Sequence, residues 1–316
     1  MSAVRVRAPA RLHLGMLDVA GGSTRRFGGL GVAVAHPAVV VEVAAASELS
    51  AVGPDADRAL VAARRCAAEL GIPGARVQVI EAIPRHVGLG SGTKLALAVT
   101  HALASLQGRR LTATELARTA GRGARSAVGL WTFVLGGLVL EGGPRWDVNT
   151  AAPLLARHPL PPGWRCVLAI PDAQPGLSGE AEEAAFRALR PDREHATAVS
   201  HLILTALLPA LVEGDLAEFG AALTQMQRLV GETFAPAQGG IYHPQAERLV
   251  SALLAHGAAG AGQSSWGPAT YGFVGSEEEA AGLVARVRGL LGGRGTVFSV
   301  SFDNQGAQLE SVGDGP

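Results

Sequence analysis

Apolar and polar positions alternate at the start of the chain. Val4 and Val6, then Leu12 and Leu14 beyond Pro9, recur at period 2. This predicts strand pieces at Val4–Arg7 and Leu12–Leu14, interrupted by the proline. The valine-rich Val32–Val43 and the alternating Ala75–Ile83 predict two more strands. Leu60, Arg64 and Ala67 fall at helical spacing, predicting a helix over Asp57–Leu70 that stops at Gly71-Ile72-Pro73-Gly74. A second helix is predicted over Thr93–Leu106. Thr112 with Glu115 three residues on reads as a capping box opening a third, Thr112–Thr119. Leu130–Glu141 reads as paired strands around Gly136-Gly137. Further on, Trp164–Ile170, Ala269–Val274 and Thr296–Phe302 read as strands. Glu180–Leu189, Ala196–Glu213, Leu216–Val230, Pro244–Ala255 and Glu277–Leu291 read as helices, with Ala196–Glu213 apolar enough to be buried. Strands and helices mix without strict alternation, which favours an α+β fold. The stretch Asn149–Gly163 carries Pro153, Pro159, Pro161 and Pro162 and reads as an interdomain connection, giving units 1–150 and 151–316.

Composition narrows the function classes. Lys plus Arg and Asp plus Glu both number 27, so the net charge is zero and no overall field draws nucleic acid or anionic membrane. Cys66 and Cys166 stand far apart without metal-ligand spacing, against a zinc site or a disulfide framework. The first residues lack the apolar stretch of a signal peptide, and the apolar run Val128–Leu140 is too short to span a bilayer. A cytoplasmic location is expected.

Anion binding must therefore be local. Gly88-Leu89-Gly90-Ser91-Gly92-Thr93-Lys94 reads as a glycine-rich loop opening a helix. Converging backbone N–H groups and the positive helix end suit phosphate. Ser91 and Thr93 offer hydroxyls to phosphate or to a magnesium ion. The Walker order Gly-Lys-Ser/Thr is absent. Lys94 is the only lysine among the 27 cations. An ammonium in a first helical turn opposes the macrodipole and so suggests an anion to be met. A second glycine-rich stretch, Gly257-Ala258-Ala259-Gly260-Ala261-Gly262-Gln263-Ser264-Ser265-Trp266-Gly267-Pro268, joins a helix to a strand and offers polar and stacking groups. The third constellation is Arg11, His13, Asp18, Arg25 and Arg26. The two arginines beside Gly28-Gly29 suit a phosphate. Asp18 suits a turn or a magnesium ion, and His13 reads equally well as structural or catalytic.

Together these stretches resemble the GHMP kinase superfamily. Pro9-Ala10-Arg11-Leu12-His13-Leu14-Gly15 matches its first motif, Val87–Ala96 its phosphate-binding motif, and Gly260–Val274 its third. With Arg25–Gly31, Gly176-Leu177-Ser178-Gly179-Glu180 and Gln263–Pro268 added, the chain resembles one branch, the β-ribofuranosylaminobenzene 5'-phosphate synthases, from about Val4 to Leu309. C-nucleoside synthases of the formycin and pyrazofurin type belong to the same branch. The resemblance implies a two-domain GHMP kinase-like fold: an N-terminal domain like ribosomal S5 domain 2 and a C-terminal ferredoxin-like α/β sandwich. It implies a homodimer, and a decarboxylating phosphoribosyltransferase that joins phosphoribosyl pyrophosphate to an aromatic carboxylate with Mg2+, releasing CO2 and pyrophosphate. The alternative is an ATP-dependent small-molecule kinase, which would carry a more uniformly glycine third motif.

The family reads Gly-Ser-Gly-Thr-Gln where this chain has Lys94. It also reads Ser-Gly-Ile-Gly and Phe-x-x-Gly-Gly-Phe where this chain has Ala127–Leu130 and Phe133–Leu138. Lys94 would pair with a second carboxylate on the acceptor or strengthen the grip on pyrophosphate. The first option tilts the acceptor from 4-aminobenzoate, of methanopterin biosynthesis, toward the pyrazole dicarboxylate of C-nucleoside antibiotics. The loop Gly88–Lys94 is expected to hold pyrophosphate, with Ser91 and Asp18 near the metal. Arg25, Arg26 or Ser264-Ser265 would hold the 5'-phosphate. Arg11, Trp131, Gln263 and Trp266 would line the substrate, and His13, Asp18 and Glu180 are candidates for proton handling.

Overall fold

The computed structural model describes residues 3–313 apart from 20–23, 146, 149, 175, 178, 190 and 191. Ser178, in the stretch 176–180, therefore lies outside the described residues. Strand β1 (Ala3–Asp18) runs unbroken through Pro9, because its register against β2 (Phe27–Ala45) shifts between Pro9 and Ala10. Such a bulge absorbs the N–H that proline lacks, so two predicted pieces become one strand. Then follow β3 (Leu49–Val52), α1 (Ala56–Leu70), β4 (Ala75–Glu81), α2 (Ser91–Leu106) and α3 (Ala113–Ala120). The capping box on Thr112 is formed, and Gly71 closes α1 in the left-handed conformation that glycine adopts freely.

The predicted hairpin over Leu130–Glu141 is instead a short helix, α4 (Val128–Val134), followed by β5 (Leu138–Glu141). A short apolar run fits either element, and here Gly136 and Gly137, both at positive φ, join helix to strand. The proline-rich stretch is not a plain connection. It contains β6 (Leu154–His158), which pairs with β5 in the first sheet. The final strand β11 (Gln308–Val312) also returns to that sheet, beside β1. The first unit thus extends past residue 150 and reclaims the C-terminus.

The first sheet runs β11-β1-β2-β4-β3, with β5 on the N-terminal half of β2 and β6 outside it. The second is antiparallel, β10-β7-β9-β8, made of β7 (Arg165–Pro171), β8 (Gly260–Gln263), β9 (Thr270–Val274) and β10 (Gly295–Ser301). Around it lie α5 (Gly179–Ala188), α6 (Arg193–Leu202), a π-helical turn (Ile203–Leu207), α7 (Leu208–Glu213), α8 (Leu216–Gln238), α9 (Ala246–Ala255) and α10 (Glu277–Leu291). Gly220 and Gly260 let α8 lie directly on β8: a Cβ at Gly220 would fall 2.2 Å from the Ala259 carbonyl oxygen. The run Arg193–Glu213 has the length and hydropathy of a membrane span, and the burial predicted for Ala196–Glu213 is not found, since only about a third of its apolar stretch is buried. Leu204 and Val212 are more than half exposed, so it is a surface helix packed on α8 and β1.

Helix α2 fixes the glycine loop. Beyond its first turn it is apolar on nearly every side, with Leu95, Leu97, Val99 and Leu103 buried against α1, β1 and β2. At about 25 cal/mol per Å2 of apolar surface, such burial makes the helix a rigid mount for whatever its N-terminus holds.

Candidate active site

Period 2 along β1 places Arg11 and His13 on one face and the buried Leu12 and Leu14 on the other. The face that carries Arg11 and His13 is where three sequence stretches meet. The Arg11 guanidinium donates to the Gly88 carbonyl, and its backbone N–H donates to the Leu89 carbonyl at 3.2 Å. Ser264 Oγ accepts from the His13 N–H at 2.9 Å and donates to the same Gly88 carbonyl at 2.7 Å. Gly88 has φ +92°, and a Cβ there would lie 2.1 Å from the Ser264 carbonyl oxygen. The first and third stretches therefore clamp the loop from both sides. Gly90 opens α2 at φ +79° with no side-chain cap, leaving the helix N-terminus to backbone N–H groups. Ser91 is buried and Gly92 and Thr93 are half-buried, so the loop presents mainly backbone.

Beside the loop is a pocket with about 440 Å3 of open space. Its apolar wall includes Met16, Val230, Ile241, Phe186, Phe234 and Trp266; its polar groups include His13, Gln227, Gln263, Ser265 and Tyr242, and among the described residues no Lys, Arg, Asp or Glu lines it. Phe186, Phe234 and Trp266 meet edge to face at centroid distances of 4.8–5.8 Å. Trp266 is anchored by its indole N–H, which donates to Glu182 Oε1 at 3.0 Å. Arg125 pairs with Glu182 at 2.7 Å and covers the Phe186 ring at 4.7 Å.

His13 is held by a chain that sequence reasoning missed. Its Nε2 lies 3.2 Å from Ser126 Oγ, which donates to Glu141 Oε1 at 3.2 Å. Glu141, fully buried, also accepts from the N–H groups of Ala127 and Gly143 at 3.2 and 2.7 Å. Ser126 has a single proton and gives it to Glu141. It therefore accepts from Nε2–H, and the imidazole lone pair stays on Nδ1. Burial, reinforced by Arg11, pulls the His13 pKa down to about 3, so the ring is neutral. Burial also lowers Arg11, to about 10, with Glu182 opposing; it remains a cation at neutral pH. Glu141 is raised by burial and restrained by its three donors.

Several expectations change. Lys94 is not a ligand of an anion at the loop. Its side chain is wholly buried, and Nζ donates to Thr132 Oγ1 on α4 at 2.9 Å, 5.9 Å from the centre of the Phe133 ring. Burial, aided by Arg11 and opposed by Asp303, drives its pKa well below the lysine value. Trp131 does not line the pocket; its indole donates to the Ala152 carbonyl at 2.9 Å. Ser264 stitches the loop to β1, and both roles of its hydroxyl are used there, so it is not free for phosphate. Glu180 is exposed on the first turn of α5, and Glu182, two residues on in the same turn, makes the contact to Trp266 instead. Gln263 does line the pocket, accepting from the His243 N–H at 2.6 Å and donating to the Ser265 carbonyl at 2.9 Å. Asp18 ends β1, paired in register with Phe27. Seven residues from Arg11 is roughly 20 Å of strand, so Asp18 and Ser91 do not share one metal ion. Among the described residues no group of three His, Cys, Asp or Glu converges as a metal cage. An ion carried by a diphosphate needs only one or two protein oxygens, and Ser91 Oγ fits that part. Arg25 donates to the Gly143 carbonyl at 2.9 Å, and Arg26 lies 4.9 Å from the centre of the Phe27 ring, which meets Phe186 at 5.5 Å. The pocket thus has a cationic turn beyond its Phe186 wall and the glycine loop beside His13.

Burial of Lys94 has a measurable cost. Its folded pKa is below the unfolded one, so between the two the unfolded chain binds more protons and stability rises with pH. Lys94→Met is expected to be more stable than the parent at pH 7, by about 1 kcal/mol or more, and to lose that rise. Urea unfolding at pH 7 and pH 9.5 tests this; a variant weaker at both pH values contradicts it.

The descriptions of known proteins agree with this architecture. The GHMP kinases N terminal domain matches residues 57–137, and GHMP kinases C terminal matches residues 207–291. Homoserine kinase from Cytophaga hutchinsonii superposes with a TM-score of 0.72 at 19% identity, covering 98% of both chains. Mevalonate kinase from L. major gives 0.69 at 14% identity, covering 95% of this chain and 96% of that one. Those likenesses show the fold. The curated β-ribofuranosylphenol 5'-phosphate synthase of Methanothermobacter thermautotrophicus is 31% identical over 325 residues, covering 96% of this chain and 97% of the relative. That of Archaeoglobus fulgidus is 37% identical over 240 residues, covering 72% of this chain and 76% of the relative. With the two GHMP domains in place and this identity along almost its full length, the chain belongs to the β-ribofuranosylphenol 5'-phosphate synthase family of the GHMP kinase superfamily.

Proposed function

We propose that the protein joins phosphoribosyl pyrophosphate to a para-substituted benzoate, 4-hydroxybenzoate or 4-aminobenzoate, with loss of CO2 and pyrophosphate, in the cytoplasm. The observation that carries this reading is an uncharged aromatic pocket opening beside a glycine loop at a neutral histidine. The relatives' printed name, a ribofuranosyl phenol 5'-phosphate, supports it. A dicarboxylate acceptor is less well matched, since among the described residues no Lys or Arg lines the pocket and Lys94 is buried elsewhere.

The chemistry balances without a net proton. The C1–O bond of the donor breaks and its electron pair leaves with pyrophosphate. The ring carbon bearing the carboxylate attacks C1, and the C–CO2 bond then breaks, returning its pair to the ring. The site must therefore hold the two carbons together, stabilise the departing charge and raise electron density on the ring. The backbone of Gly90–Gly92 and Arg11 serve the departing charge. A magnesium ion on the diphosphate, touching Ser91, would neutralise part of it. The aromatic walls orient the ring. His13 Nδ1 accepts a hydrogen bond from the para O–H or N–H, which pushes electrons toward the attacking carbon. The Tyr242 phenol, pushed up to about 12 by burial, stays protonated and donates to the same substituent.

Tyr242→Phe is expected to raise KM for 4-hydroxybenzoate up to about tenfold, one hydrogen bond's worth, with kcat little changed. An unchanged KM in steady-state assays removes Tyr242 from the acceptor site. The reaction itself is tested by mass spectrometry of the product: the expected species carries ribose 5-phosphate on the ring carbon that has lost its carboxylate. An intact carboxylate in the product would refute the proposal.

A further inference from the structure

The outer side of the glycine loop carries a second set of cations that the preceding roles do not use. Arg58 on α1 and Arg122, just past α3, both reach Gly92 in the first turn of α2. A Cβ at Gly92 would lie 2.3 Å from Arg58 Nη2 and 3.8 Å from Arg122 Nη2. Arg58 Nη1 also lies 3.5 Å from Ser91 Oγ. Arg65 flanks them over Gly121, its Nε donating to the Thr119 carbonyl at 3.1 Å, and all three arginines line one open recess with Gly92.

The acidic complement is thin. Asp55 accepts from Arg58 at 3.1 Å but also from Arg85, and Glu69 pairs with Arg118. Among the described residues the Arg122 guanidinium has no hydrogen bond and no ion pair, yet Arg58 and Arg65 both depress its pKa, after desolvation. Like charges held together with only the shared Asp55 carboxylate beside them are unfavourable unless a further anion joins them. Two guanidiniums converging on uncapped N–H groups form a fork suited to a diphosphate, not to a single carboxylate.

The geometry points to Arg58 and Arg122, with the first turn of α2, as the subsite for an inorganic diphosphate, the leaving group of the donor. This rests on the donor proposed above. It places the pyrophosphate on the outer face of the loop and leaves Arg25 and Arg26 to the 5'-phosphate.

The test is calorimetric titration of the full-length protein with inorganic pyrophosphate, with ribose 5-phosphate as a second probe. Arg58→Ala and Arg122→Ala should each weaken pyrophosphate about tenfold or more and leave ribose 5-phosphate unchanged. Arg25→Ala should do the reverse. Because Arg122 is exposed and its guanidinium is unpaired among the described residues, Arg122→Ala should melt no lower than the parent without ligand. Equal pyrophosphate affinity in the parent and Arg122→Ala overturns the subsite, as does a lower ligand-free melting temperature, which would give Arg122 a structural role. If pyrophosphate binds through Arg122 while phosphoribosyl pyrophosphate gives no product with any benzoate, the subsite stands and the donor assignment fails.

Discussion

Gly88→Ala is expected to disable the protein more thoroughly than any other single methyl addition in the loop. Gly88 has φ +92°, where an L side chain is strained, and its new Cβ would stand 2.1 Å from the Ser264 carbonyl oxygen. That oxygen is backbone, so it cannot step aside as a side-chain tip would. Strain and clash together should cost about 2–4 kcal/mol. The Gly88 carbonyl also receives Arg11 and Ser264, so moving it misplaces the loop, the first stretch and the third together. Misplacement of about 1 Å near reacting groups costs on the order of 10²-fold in rate. Thermal melting and kcat/KM on the same preparation check both halves. A variant with the parent's melting temperature and activity would show that the clamp is not needed.

His13→Ala should lower kcat by about 10²-fold, the lower range for a positioned proton partner, with a smaller effect on KM. The pH profile is the sharper readout. With a folded pKa of about 3, His13 gains a proton only in strong acid, so the parent should show no acid limb from it near pH 6.5. The linkage has the same sign: the histidine favours folding above its unfolded pKa near 6.5, and that contribution is lost as pH falls toward 3. Glu141→Gln acts through Ser126 and should spoil the tautomer without touching substrate. It should lower kcat while leaving KM for the acceptor nearly intact. An acid limb between pH 6 and 7 that disappears in His13→Ala would contradict the neutral ring.

The parts of this site that were legible in sequence are those written in consecutive residues. The glycine loop, the Arg11-Leu12-His13 strand and the Gln263–Trp266 string each announce themselves through glycine, period 2 or unusual composition, and the fold brings all three to the Gly88 carbonyl. Ser126 and Glu141 were not legible, because they are joined by packing. They flank α4, whose seven mostly apolar residues carry too little periodicity to tell helix from strand, and Glu141 would read as an ordinary polar residue ending a strand. Lys94 misled for the reverse reason. Its position in the first turn is electrostatically suggestive, but the side chain of the fourth helical residue turns into the core, where only tertiary packing decides its partner. The glycines of β8 read as part of a ligand-facing joint between helix and strand, yet they are small so that α8 can rest on the strand. The last strand was invisible because its exposed, polar face gives no alternation to detect.

The central claim is decarboxylating transfer from phosphoribosyl pyrophosphate. The most direct measurement follows CO2 and pyrophosphate together from the purified protein with magnesium, phosphoribosyl pyrophosphate and 4-hydroxybenzoate or 4-aminobenzoate. The account predicts equal amounts of the two, released only when donor and benzoate are both present. Pyrophosphate without CO2, or silence here alongside ADP formation from ATP and a small alcohol, would contradict it and return the chain to kinase chemistry.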